Sequence, residues 1–213
     1  MPTTFKIEPQ RSVVALDLSP AQSGIFTPGL EAIVLADDQL ARFNALAQLL
    51  DPAMPPLSGE QIAGVARRVL RTAAAGGQSP FIASRLRRAT EMRAMAADPA
   101  WPLAADHATR IGALLAYLDD PNDLIRDDVP VVGRLDDALL VDIAMDGLRD
   151  ELDDYAEFCR HRSAEAARGG DAGIDRAAWE QVRADELRLE QQLRRARGGS
   201  YGGGAVERMF RIC

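Results

Sequence analysis

The sequence predicts a mainly α-helical protein, a multi-helix bundle around one helix–loop–helix core with a minor β element at the N-terminus. Three observations predict it. Apolar residues recur at three- and four-residue spacing through most of the chain, Ser, Asp and Pro stand where such runs begin, and Gly or Pro clusters stand where they stop. With 213 residues, 47% of them hydrophobic, the chain can bury a substantial core. Only 5% are aromatic, so Leu, Ile, Val and Ala must fill it.

Phe5-Lys6-Ile7 alternates and Ser12 to Leu18 is β-prone, which places one or two short strands within residues 4–18. The first helix starts at about Leu30 or Asp38 and ends at Leu50 before Pro52, with Leu40, Phe43, Ala47 and Leu50 on one face. Ser58 with Gln61 three residues on is a capping box opening a second helix, stopped by Gly76-Gly77. Ser79 and Pro80 start a third, to about Ala97. A fourth spans 103–118 with Ala108, Ile111, Leu115 and Leu118 inward, and Trp101 reads as a lid on the core. A long fifth helix, capped by Asp136 or Asp137, reaches about Arg162 with Val141, Ala144, Met145, Leu148, Leu152, Tyr155 and Cys159 buried. Asp175 caps a sixth to Arg195, docked through Trp179, Val182, Leu189 and Leu193.

Between the fourth and fifth helices lies the stretch Tyr117 to Asp137, YLDDPNDLIRDDVPVVGRLDD, with seven aspartates in 21 residues. Pro130 is rigid, and Gly133 is expected to supply a positive φ. Tyr117, Pro121, Asp123, Leu124, Ile125, Asp127, Val129, Pro130, Gly133, Leu135, Asp136 and Asp137 resembles, in register, the core of the YkvA-like family, a bacterial domain of unknown function. The match covers about residues 110–150. Arg126 stands where that family has proline, which leaves two expectations: a loop less rigid than in relatives, or an Arg126 paired with a neighbouring aspartate. The resemblance implies a helical hairpin at 103–162 and no activity; the chain as a whole reads as one helical domain, 1–197. Residues 198–213 read as a flexible Gly-rich link and a short apolar tail, Val206, Met209, Phe210 and Ile212.

Charge and cysteine usage narrow the function classes. A net charge of −7 argues against sequence-independent nucleic-acid binding, which needs a dominant basic surface. Cys159 and Cys213 form no CxxC and are too few for a disulfide scaffold. MPTTFKIEPQ lacks the charged and apolar regions of a secretory signal, and no run is long enough to span a bilayer. The expected compartment is the cytoplasm, without a transmembrane segment.

Hard cations bind clustered carboxylate oxygens, so Asp123, Asp127, Asp136 and Asp137 are the candidate metal ligands. They match no EF-hand, because Pro121 interrupts the stretch and its central Gly and closing Glu are missing. The favoured reading is that the aspartates are spread out as helix caps and turn residues, and that added Mg²⁺, Mn²⁺ or Ca²⁺ leaves stability unchanged. Asp142, Asp146, Asp150, Asp153 and Glu157 form an acidic stripe on the fifth helix. Arg67, Arg68, Arg71, Arg85, Arg87, Arg88 and Arg93 on helices two and three are expected to pair with it. His107 and His161 stand without a nucleophile at catalytic spacing, so no catalytic residue is assigned, and no cofactor is expected beyond a divalent metal on the loop. The first reading is a non-catalytic interaction or regulatory role with a protein partner or a second copy. The alternative is a metal-dependent hydrolase of a phosphate-containing substrate using the aspartate loop; membrane-surface association is a further alternative.

Overall fold

The computed structural model describes residues 14–16, 33–72, 79–170 and 173–201. Much of the expected β stretch at 4–18, the Gly76-Gly77 stop and the apolar tail lie outside them. Among the described residues the protein is a bundle of six helices. A short antiparallel pair precedes them, β1 (Val14–Leu16) against β2 (Ile33–Leu35), in the register Val14 to Leu35 and Leu16 to Ile33. The earlier of the two starts expected for the first helix therefore gives way to a strand. No helix among the described residues is long and apolar enough to cross a membrane.

The helices follow their local signals closely. α1 (Asp37–Leu50) carries two aspartates in its first turn, where they complement the helix dipole, and buries Phe43, Ala47 and Leu50. The link after it is clamped to α1 by Asn44, whose amide donates to the Leu57 carbonyl at 2.9 Å and accepts from the Leu57 amide at 2.7 Å. The capping box then opens α2 (Gly59–Thr72): the Gln61 amide donates to Ser58 Oγ at 3.3 Å and the Ser58 amide to Gln61 Oε1 at 2.8 Å. α3 (Pro80–Ala97) has Pro at its first position, although Ser79 makes no side-chain cap bond and is instead buried. α4 (Ala105–Leu118) buries Ile111, Leu114 and Tyr117. Ala108, expected inward, is exposed, so the buried face of α4 runs 111, 114, 117.

α5 (Leu135–Ala167) begins before the expected caps: Asp136 and Asp137 stand inside its first turn. α6 (Arg176–Tyr201) begins as expected, the Ala178 amide donating to Asp175 Oδ1 at 2.9 Å, and continues through Gly198 and Gly199, where a flexible link was expected.

The chain divides into two compact units, Met1–Tyr155 and Ala156–Cys213. In the first, α4 packs on α1 and α3. Trp101 lies fully buried, its indole N–H on Glu151 Oε1 at 2.9 Å and its ring edge-to-face with Tyr155 at 5.6 Å. In the second, Phe158, a fully buried residue outside the stripe read from the sequence, meets Trp179 edge-to-face at 6.1 Å. Arg162 and Arg183 cover those two rings.

Between α4 and α5 the loop closes on itself through backbone bonds, among them Gly133 N–H to Val129 O at 2.8 Å and Val129 N–H to Arg126 O at 3.0 Å. The positive φ expected at Gly133 falls instead on Val131 (70°) and Arg134 (67°). Gly133 is required for a different reason: a Cβ there would sit 2.5 Å from the Asp127 carbonyl oxygen and 2.6 Å from that of Val129. Backbone cannot yield as a flexible side chain can. Gly133→Ala is therefore expected to cost about 1–3 kcal/mol, as overpacking does, with a matching fall in the urea midpoint. Val131→Gly, which relieves a β-branched residue at positive φ, should stabilise by about 1 kcal/mol in the same assay.

Candidate functional site

The seven loop aspartates have three different fates. Four face arginines. Asp119 takes a two-pronged bond from Arg93 (2.8 and 2.9 Å), Asp120 pairs with Arg42 (2.7 Å), Asp128 with Arg126 (2.6 Å) and Asp127 with Arg134 (3.0 Å). The Arg93 guanidinium holds the Asp119 carboxyl below the usual carboxylate range, and Arg42 does the same for Asp120. Asp120 also forms the expected turn, accepting the Asn122 amide at 2.9 Å. Arg126, the departure from the YkvA-like pattern, pairs with Asp128, the second of the two alternatives read from the sequence.

Asp136 has the second fate and is no cap. Fully buried, its Oδ2 accepts the Tyr117 hydroxyl at 2.9 Å, the Leu124 amide at 2.9 Å and the Ile125 amide at 3.1 Å. The Tyr117 oxygen in turn accepts from the Leu124 amide at 3.1 Å. Leu124 and Ile125 are buried, and one carboxylate oxygen accepts both of their amides, with the Tyr117 oxygen a second acceptor for Leu124. Burial raises the pKa of Asp136 against the pull of these donors, and burial raises that of Tyr117 as well.

Asp123 and Asp137 have the third. Both are buried, and with Asp127 each offers a carboxylate oxygen to one point, the three oxygens lying within 4.8 Å of one another. Three of the four residues read from the sequence as metal ligands thus converge, and Asp136 adjoins them engaged in its own bonds. Neither oxygen of Asp137 has a hydrogen-bond partner; Arg134 Nε is 3.4 Å from one of them and makes its hydrogen bond to Asp127. Burial first, and repulsion from Asp136 second, push the Asp137 carboxyl up to about 8 and that of Asp123 to about 6.

Among the described residues, Arg85 of α3 reaches the acidic stripe. Arg85 pairs with Asp142 of α5 at 2.6 Å, whereas Arg88 pairs along its own helix with Glu91 and Arg67 with Glu60 of α2. Arg85, Arg88 and Arg149 line an open groove of about 230 Å³ together with Asp142 and Asp153, whose two carboxylates offset most of its positive charge. His107 sits 3.4 Å from Glu151, the carboxylate that holds Trp101, and so belongs to the packing of that indole. The sequence signal that could have found the Asp136 hub was the aromatic at 117 facing Leu-Ile at 124–125; helix periodicity does not carry it.

No protein-family model matches the chain, and neither a curated protein nor a solved structure does.

Two measurements test this geometry. Asp136→Ala, which strands the buried Ile125 amide and leaves the Leu124 amide only the Tyr117 oxygen, should cost at least about 3 kcal/mol, far above Tyr117→Phe at about 1 kcal/mol. The second concerns pH. An unfolded aspartate ionises near about 3.9, while folded Asp123 and Asp137 keep their protons to about 6 and about 8. Between those limits the native state binds more protons than the unfolded one. Their contribution to stability is therefore complete below the unfolded value and is lost as pH rises through 6 and then 8. In chelator, the urea midpoint should fall over that range, and Asp137→Asn should flatten the upper part of the slope. An unchanged slope in the variant would show that Asp137 ionises freely.

Proposed function

We propose that the protein is a YkvA-like helical protein with a non-catalytic interaction role, and that its contact surface is the outer half of α6. One observation carries this reading. Trp179, Val182, Leu189 and Leu193 continue a single seam along α6, yet only its first part is covered: Trp179 packs on Phe158, whereas Leu189 and Leu193 are 57% and 49% exposed. Every described residue from 185 to 197 is exposed, so the expected docking of this end is not what the structure shows. Single exposed leucines are ordinary, but a seam that starts in a core and runs on uncovered is the form of a helix awaiting another helix.

The partner that fits is a second copy of this chain. The exposed segment carries Arg188, Arg194, Arg195 and Arg197 beside Asp185, Glu186 and Glu190, a near balance unlike the net −7 of the whole. Two such helices meet without net repulsion and offer each other both signs at the rim. Light scattering over a concentration series should show a dimer that a Leu189→Glu, Leu193→Glu double variant dissolves with its circular dichroism unchanged. A monomer at the highest soluble concentration would refute it.

A further inference from the structure

We propose that Asp123, Asp127 and Asp137 together bind one hard divalent cation, of the Ca²⁺, Mn²⁺ and Mg²⁺ class, which fastens the core loop to the first turn of α5. Two independent observations support this. The first is convergence: three carboxylate oxygens from residues 123, 127 and 137 lie within 4.8 Å of one another, about the span of two oxygens on opposite sides of an ion with bonds of about 2.4 Å. The second is that Asp137, only 1% exposed, presents both its oxygens without a hydrogen bond. Buried polar atoms in folded proteins are satisfied almost without exception, and a buried carboxylate left over beside two others is a donor set short of its acceptor.

The chemistry of the set selects the class of ion. All three ligands are anionic oxygens, with no imidazole or thiolate among them, which suits hard cations over zinc or copper. Asp127 is the exposed member and gives the ion its way in; Asp123 and Asp137 form the floor. Water would complete the coordination on the open side. Among the described residues Arg134 is the cation paired with the cluster, 3.0 Å from Asp127 and 3.4 Å from Asp137, with its side chain 40% exposed. A single guanidinium at the rim, hydrogen-bonded to Asp127, leaves the oxygens of Asp137 unbonded, whereas an ion among them engages all three residues and displaces the protons that burial retains.

The consequence is mechanical. Asp123 and Asp127 belong to the loop and Asp137 to α5, so an ion shared among them closes the same junction that Asp136 closes with Leu124 and Ile125. This proposal is independent of any association through α6, since the cluster lies wholly within the unit Met1–Tyr155.

The test uses the full chain stripped with chelator and then titrated with Mn²⁺, followed by loss of the free-ion paramagnetic signal, with thermal melts in Mn²⁺, Ca²⁺ and Mg²⁺ alongside. One saturable ion per chain is expected, with a rise of several degrees in the melting temperature, because binding to the native state stabilises it by mass action. Asp127→Asn, a change at an exposed side chain that leaves the fold intact, should weaken binding by at least about tenfold, the loss typical even of groups that only support a ligand. Asp137→Asn should remove it. Asp128→Asn, beside the cluster and paired with Arg126, should bind like the parent. Absence of saturable binding at millimolar ion, which would leave Asp137 a buried protonated acid, overturns the proposal. So does equal weakening by Asp128→Asn, which would reveal a diffuse attraction to acidic surface.

Discussion

The structure of the core depends on one buried carboxylate. Asp136 sits at the start of α5 and gathers the Tyr117 hydroxyl from the end of α4 and two consecutive loop amides, Leu124 and Ile125. Those amides belong to residues whose side chains fill the core, so the loop cannot bury Leu124 and Ile125 without also burying their backbone groups. A neutral acceptor could satisfy one of them; a carboxylate oxygen takes both and the phenol as well. These three donors counter part of the cost of holding Asp136 away from water, though burial remains the larger effect on its pKa.

From this hub the rest of the loop's geometry follows. Holding residues 124–125 against 136 leaves few residues to turn the chain back into α5, and the turn is made with Val131 and Arg134 at positive φ and with Gly133 pressed against the carbonyls of Asp127 and Val129. The same tightness brings Asp123, Asp127 and Asp137 to one point. Outside it, Arg42 of α1 and Arg93 of α3 reach Asp120 and Asp119, fastening the loop to helices far away in sequence. These exposed pairs add little stability each; their effect is on where the loop lies.

The two units differ in how complete they are. In Met1–Tyr155 large apolar side chains such as Phe43, Ile62, Ile82, Met92, Trp101 and Ile111 are fully buried, and the Trp101 indole N–H is satisfied by Glu151. Among the described residues of Ala156–Cys213, Phe158 packs with Trp179 under two arginines, and the helix beyond them exposes its leucines. A helix whose outer turns are exposed draws little of its stability from packing over that length.

The sequence by itself determined the helices. Their starts were legible in Ser58 with Gln61, in Pro80 and in Asp175, and their buried faces in the spacing of residues such as Phe43, Ala47 and Leu50, because capping and periodicity are local and need no knowledge of neighbours. The loop was legible as ordered, and its aspartates as candidates, but not their division of labour. Tertiary structure alone decided that Asp136 would bond amides eleven and twelve residues away, that Asp119 and Asp120 would be taken by arginines of other helices, and that Asp123, Asp127 and Asp137 would meet. The seven aspartates are chemically identical. What separates them is which are driven inside by Leu124, Ile125 and the start of α5, and burial is a property of the packed chain, not of any window of its sequence.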